Sequence, residues 1–139
     1  MSTTSYETRY ASSPQTVKAY DTSQLREEFL INNLMQVSKI NLVYTHYDRY
    51  IAGSAVPTEP LKLETIDPLK TSYFLERREL GIINVGERGE VLIDGTSYVL
   101  EHKDALYIGK GNKEVIFKSD NPKNPAKFYL NSAPAHKVF

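Results

Sequence analysis

Beyond Ile31, apolar and polar residues alternate along most of the chain, the period of half-buried strands. LMQV (34–37) and INLVYTHYDRYIAGSAV (40–56) both carry it. In the second stretch Leu42, Tyr44, His46, Asp48 and Tyr50 share one side if the strand runs straight; a turn at residues 46–48 breaks that register. PTEPLKLETIDPLK (57–70) holds three prolines and no period, so it reads as a long connection with one short edge strand at Leu61–Leu63. The signal then sharpens. GIINV, GEVLIDGTSYVL, DALYIGKG, EVIFKS and AKFYLNSA are short strands at close spacing with no helix between them. Asp94-Gly95 is a pair that closes two-residue hairpins, and Gly86, Gly89, Gly109 and Gly111 punctuate strand ends. Such a series predicts an all-β sandwich or small barrel.

The N-terminal segment follows other rules. Residues 1–12 are Ser/Thr-rich without a period and read as a mobile tail. Ser13 followed by Pro14 has the form of a helix start. Asp21 and Gln24 have capping-box spacing, with Leu25, Phe29 and Leu30 forming one apolar side. One or two short helices are expected there, leading into a single domain over residues 13–139.

Composition narrows the classes. A chain of 139 residues supports one core. Lys+Arg 17 balances Asp+Glu 17, so no global field favours nucleic acid or a membrane surface. The lysines after Leu106 are dispersed and read as a solvated face. There is no cysteine, which excludes disulfides and thiolate metal sites and fits a cytoplasmic location. MSTTSYETRY lacks the apolar core of a signal peptide, and no apolar run approaches the ~20 residues of a membrane span.

From Glu79 to Phe117 the order of strands, D-G hairpin and glycine steps resembles a cupin, a small jelly-roll barrel. The strings SYFLERRELGIINVG, DALYIGKGNKEVIF, AKFYLNSAPAH and LREEFL resemble, more narrowly, the 4-deoxy-L-threo-5-hexosulose-uronate ketol-isomerases, also called 5-keto-4-deoxyuronate isomerases. The likeness covers nearly the whole chain outside the N-terminal tail and residues 57–70. It implies an all-β cupin-like jelly roll that is the N-terminal half of a bicupin. It also implies conversion of 5-keto-4-deoxyuronate to 3-deoxy-D-glycero-2,5-hexodiulosonate in pectin or glycosaminoglycan breakdown. The zinc site, of three His and one Glu, is implied for the C-terminal half, so no metal or cofactor is expected in this chain. The partners implied are that C-terminal cupin half, further copies in a homo-oligomer (a hexamer at full length) and a small sugar acid. A stand-alone, non-catalytic cupin that binds a sugar acid or a protein, and an autonomous isomerase using His46 or Glu114 as base, are the alternatives.

In the cupin register the paired histidines fall near Ser72 and Phe74, the glutamate at Glu79 and the late histidine at Glu114. Three of the four ligands are replaced, and His46, His102 and His136 have no metal-ligand spacing. His46 and Asp48 form either an acid–base pair or a polar anchor with Tyr44. His102 reads as a solvated or capping histidine, His136 as part of the link into the other half, and GKGNKE (109–114) as a turn. In ERRE (76–79), Arg77 and Arg78 either clamp a substrate carboxylate bidentately or pair with Glu76 and Glu79 at an interface. In a strand, one arginine of the two must point away from what the other faces.

Overall fold

The computed structural model describes residues 3–139. Ten strands form two sheets. The six-stranded sheet has the order β1(Thr4–Arg9), β2(Ile40–Thr45), β3(Ile51–Ala55), β10(Phe128–Pro134), β5(Arg78–Asn84), β8(Ala105–Ile108). The four-stranded sheet runs β4(Leu61–Lys62), β9(Val115–Ser119), β6(Gly89–Ile93), β7(Thr96–Leu100). Every ladder is antiparallel except β1 on β2. Strands that neighbour in space but not in sequence, such as β3 beside β10, give the jelly-roll arrangement.

Period-two alternation builds the core. Leu80 and Ile82 of β5, Phe128 and Leu130 of β10, Ile40 and Leu42 of β2, and Val91 and Phe117 of the smaller sheet are all essentially inaccessible. The rings of Phe117 and Phe128 meet across the two sheets at 5.4 Å, so aromatic packing ties the layers together. The β6–β7 turn is Asp94-Gly95, with φ of 47° and 87°, the pair of positive φ values of a type I′ hairpin.

The helices follow their caps. α1(Pro14–Val17) starts on Ser13, whose hydroxyl accepts from the Thr16 N–H at 3.1 Å. α2(Thr22–Phe29) carries the full capping box, with Gln24 N–H donating to Asp21 at 2.8 Å and Gln24 accepting from the Asp21 N–H at 2.9 Å. Two 3₁₀ turns, Asp67–Leu69 and Phe74–Glu76, lead into β5.

Three expectations need correction, and the alternative of a turn after residue 45 is the one found. Residues 4–9 are not a tail but the edge strand β1, registered along β2 from Thr4↔Ile40 to Arg9↔Thr45. None of its residues is buried, so backbone pairing to an open edge creates the strand and no apolar alternation announces it. The 34–37 segment forms only a single bridge, Val37↔Val56. The Asn33 carbonyl is taken by the Asn41 amide at 3.0 Å, and Ser38 at φ 64° turns the chain away. The straight run from Leu42 to Tyr50 breaks at a tight turn over 47–50, closed by Tyr50 N–H donating to Tyr47 O at 3.1 Å. The apolar side of α2 is not buried: Leu25, Phe29 and Leu30 all remain exposed.

Candidate functional site

The inward register of β5 runs Arg78, Leu80, Ile82, Asn84, and that of β10 runs Phe128, Leu130, Ser132. Both strands are apolar along the core and turn polar at one end of it, where Pro134 lies opposite Arg78. Arg78 is only 4% exposed. Its Nε donates to Ser132 Oγ at 2.7 Å, and its Nη2 donates to Arg49 O at 2.6 Å and Ser132 O at 3.2 Å. Ser132 Oγ in turn donates to Glu79 O at 2.6 Å. The guanidinium lies 5.8 Å from the centroid of the Phe74 ring, a cation–π position.

All of these partners are neutral. Burying a guanidinium costs several kcal/mol, and here no carboxylate offsets the cost. Burial pulls the Arg78 pKa down to about 10; Tyr44 opposes the shift and the neighbouring Arg49 charge adds to it. Nη1 has no hydrogen-bond partner among the described residues and is not sealed from the surface. Arg78 lines a cleft of about 260 Å³ together with Arg49 and Arg77. Tyr44, Thr71, Phe74 and Leu69 also line it, with the Thr71 hydroxyl paired to that of Thr65 at 2.7 Å, and none of the lining residues is acidic.

Arg49 reaches the cleft through the β2–β3 turn. Asp48 and Arg49 are its central residues, at φ 55° and 59°, a left-handed pair that normally takes Asn-Gly. This backbone points the Arg49 carbonyl at Arg78. Arg77 precedes β5, at the end of the 3₁₀ turn. It is therefore free of strand alternation, and two adjacent arginines border one cleft. Sequence reasoning that placed both in a strand excluded this. It also missed Arg49 and Ser132. The available signals were an arginine at a hairpin tip and a small polar residue in an apolar inward register.

Within the described residues neither Glu76–Arg78 nor Arg77–Glu79 forms an ion pair. Arg77 contacts Glu76 at 3.7 Å while remaining 69% exposed; Arg78 meets no acid, and Glu79 accepts from the Tyr107 hydroxyl at 2.8 Å. No hydrogen bond or ion pair joins His46 to Asp48. The His46 ring instead stacks on Tyr10 at 4.6 Å and meets Tyr44 edge-on at 5.5 Å, outside the cleft. Tyr44 is thus a ring partner of His46, while Asp48 is exposed and makes no side-chain contact. His102 lies in a turn with Nδ1 2.9 Å from Gly86 O. His136 is exposed, and Glu114 lies 3.5 Å from Lys62 Nζ in the four-stranded layer.

The residues in the expected zinc-ligand register do not come together among the described residues. Phe74 is buried under Arg78, Ser72 is exposed on the turn before it, and Glu79 is engaged with Tyr107. Among the described residues no three His, Asp or Glu side chains converge. The buried end of the barrel is cationic, the wrong sign for a metal. No helix among the described residues is long and apolar enough to cross a membrane.

No family model matches the chain. Among curated proteins it is 75% identical over 134 residues to a 4-deoxy-L-threo-5-hexosulose-uronate ketol-isomerase of Formosa agariphila, covering 96% of this chain and 48% of that protein. It is 58% identical to a protein of the same name from Lachnoclostridium phytofermentans, covering 96% and 49%. The chain spans about half the length of the curated relatives it matches. Among solved structures it is similar to the Cnp3 cupin domain of Schizosaccharomyces pombe, at 13% identity over 75% of this chain and 70% of that one, with a TM-score of 0.54. That likeness, with the two sheets described above, makes the fold an all-β cupin jelly roll.

Proposed function

We propose that this chain, homologous to the N-terminal half of the 4-deoxy-L-threo-5-hexosulose-uronate ketol-isomerases, serves as the half without metal in a two-cupin enzyme. The other half holds zinc and converts 5-keto-4-deoxyuronate to 3-deoxy-D-glycero-2,5-hexodiulosonate. The observation that supports this is the extent of the likeness: 75% identity along 96% of the chain, matched to only 48% of the relative.

Ketol isomerisation moves a proton off the carbon beside a carbonyl. It requires a base within hydrogen-bond reach and a group that stabilises the oxyanion. A zinc ion supplies the second as a Lewis acid. This chain brings no histidine to the arginine cleft and gathers no metal donors among its described residues. Its contribution is a rigid barrel, a face for the second half and contacts within a homo-oligomer.

The test is turnover of 5-keto-4-deoxyuronate at high enzyme concentration, by this chain alone and by the protein extended to the full length of its relatives. Residues 1–139 are expected to give no product above background with or without added zinc, and the extended protein to be active and zinc-dependent. Losing even one oxyanion donor costs on the order of 10²–10³ in rate, so a half without the metal falls well below detection. Robust turnover by residues 1–139 that disappears in His46→Ala contradicts the proposal.

A further inference from the structure

We infer that the cleft formed by Arg49, Arg77 and Arg78 is a binding site for a small sugar acid, whose carboxylate sits against Arg78 Nη1. The inference does not rest on the isomerase reading, because it follows from charge, burial and shape alone.

Charge gives the ligand its sign. Three arginines border the cleft and no lining residue is acidic. The nearest carboxylate contact is the loose one from Glu76 to exposed Arg77, at 3.7 Å. Arg78 is the informative member. A guanidinium 96% removed from solvent ordinarily has an anionic partner, yet its three protein acceptors are a hydroxyl and two carbonyls. These bonds fix the plane of the guanidinium and leave Nη1 without a hydrogen-bond partner among the described residues, in a side chain that lines the cleft. One immobilised donor edge, with two mobile arginines at the rim, can grip both oxygens of a carboxylate.

Shape and lining narrow the ligand class. At about 260 Å³ the cleft is slightly below the usual range of ligand cavities, roughly 300–1,000 Å³. It has room for a single ring and not for a nucleotide. Tyr44 is the polar aromatic side chain of the lining, the Thr71 hydroxyl is already paired with Thr65 at 2.7 Å, and Phe74 and Leu69 suit the C–H face of a sugar. The Asp48-Arg49 turn keeps two non-glycine residues in the left-handed region, a cost commonly found where a side chain is held for binding.

The test is calorimetric titration with sodium D-galacturonate, with neutral D-galactose and inorganic phosphate as comparisons. Galacturonate is expected to saturate one site per chain, with galactose and phosphate each at least tenfold weaker. Arg49→Ala and Arg77→Ala, both at exposed positions, are expected to keep a cooperative melt and to lower galacturonate affinity by about tenfold or more, the scale of one charge-assisted hydrogen bond. Arg78→Lys, which keeps the charge and loses the fork, is expected to do the same. The extended protein carrying wild-type Arg49 should bind galacturonate through this cleft, with affinity that falls in its Arg49→Ala form. The inference is overturned by galactose or phosphate binding as tightly as galacturonate, or by no saturation in the short chain. It is also overturned by affinity unchanged in well-folded Arg49→Ala, or by an extended protein whose galacturonate binding does not respond to Arg49→Ala. That last result assigns the cleft to a carboxylate supplied by the rest of the chain.

Discussion

Arg49 occupies a backbone conformation that favours glycine, at φ 59°. An L-residue there costs roughly 1–2 kcal/mol, and glycine at the same position gives back about 0.5–1 kcal/mol in chain entropy. Arg49→Gly should therefore be neutral or up to about 1 kcal/mol more stable in chemical denaturation, while weakening galacturonate binding. A variant that loses stability and retains affinity would show that the arginine serves the turn and not the cleft. The pH dependence is set at the same scale. Burial lowers Arg78 to about 10, so the folded protein keeps this proton at every pH below that value. The burial penalty is then full below about pH 10 and is relieved only as pH rises through the window toward the ordinary arginine value, where the unfolded chain binds the extra proton. The groups facing Arg78 are Tyr44, Arg49 and Arg77, none of them acidic. Between about pH 5 and 9 galacturonate affinity should be flat. It should fall as pH drops through the sugar carboxylate's own titration near ~3.5. A midpoint near ~6.5 would implicate a histidine and contradict the arginine assignment.

At the scale of elements, β6 enters the smaller sheet through Gly89, where a Cβ would lie 2.5 Å from Lys118 O and 2.7 Å from Ala126 Cβ. Neither neighbour is the end of a flexible side chain. Gly89→Ala should cost about 1–3 kcal/mol, the usual range for overpacking, read as a lower denaturation midpoint with an unchanged slope. An unchanged midpoint would mean that β6 and β9 can separate without loss. The strands from β5 onward, the two caps and the Asp94-Gly95 hairpin were legible in the sequence because each is set by its own residues. β1 was not, because its partner is an open edge and none of its residues is buried. Residues 34–37 looked like a strand but lack a partner strand, since side chains take carbonyls there. The cleft was legible only in part. ERRE marked two of its arginines, but the 3₁₀ turn that frees Arg77 from alternation is set by packing of Phe74 and Leu75, both buried. Arg49 arrives from a hairpin about thirty residues away in sequence.

At the scale of the molecule, the barrel places arginine, rather than imidazole and carboxylate, at the interior end where β5 begins. A cationic end repels a divalent ion, and the side chains in the expected ligand register are dispersed: Ser72 on a turn, Phe74 in the core, Glu79 on Tyr107, Glu114 beside Lys62. A half so built suits a two-cupin protein in which the metal chemistry belongs to the other barrel. The most direct measurement is the zinc content of tag-free residues 1–139 after chelator dialysis, readdition of zinc and removal of the excess. The expected result is far less than one zinc per chain, with the melting temperature unchanged by the metal. One tightly held zinc per chain, accompanied by a raised melting temperature, would contradict the assignment of this barrel as the half without metal.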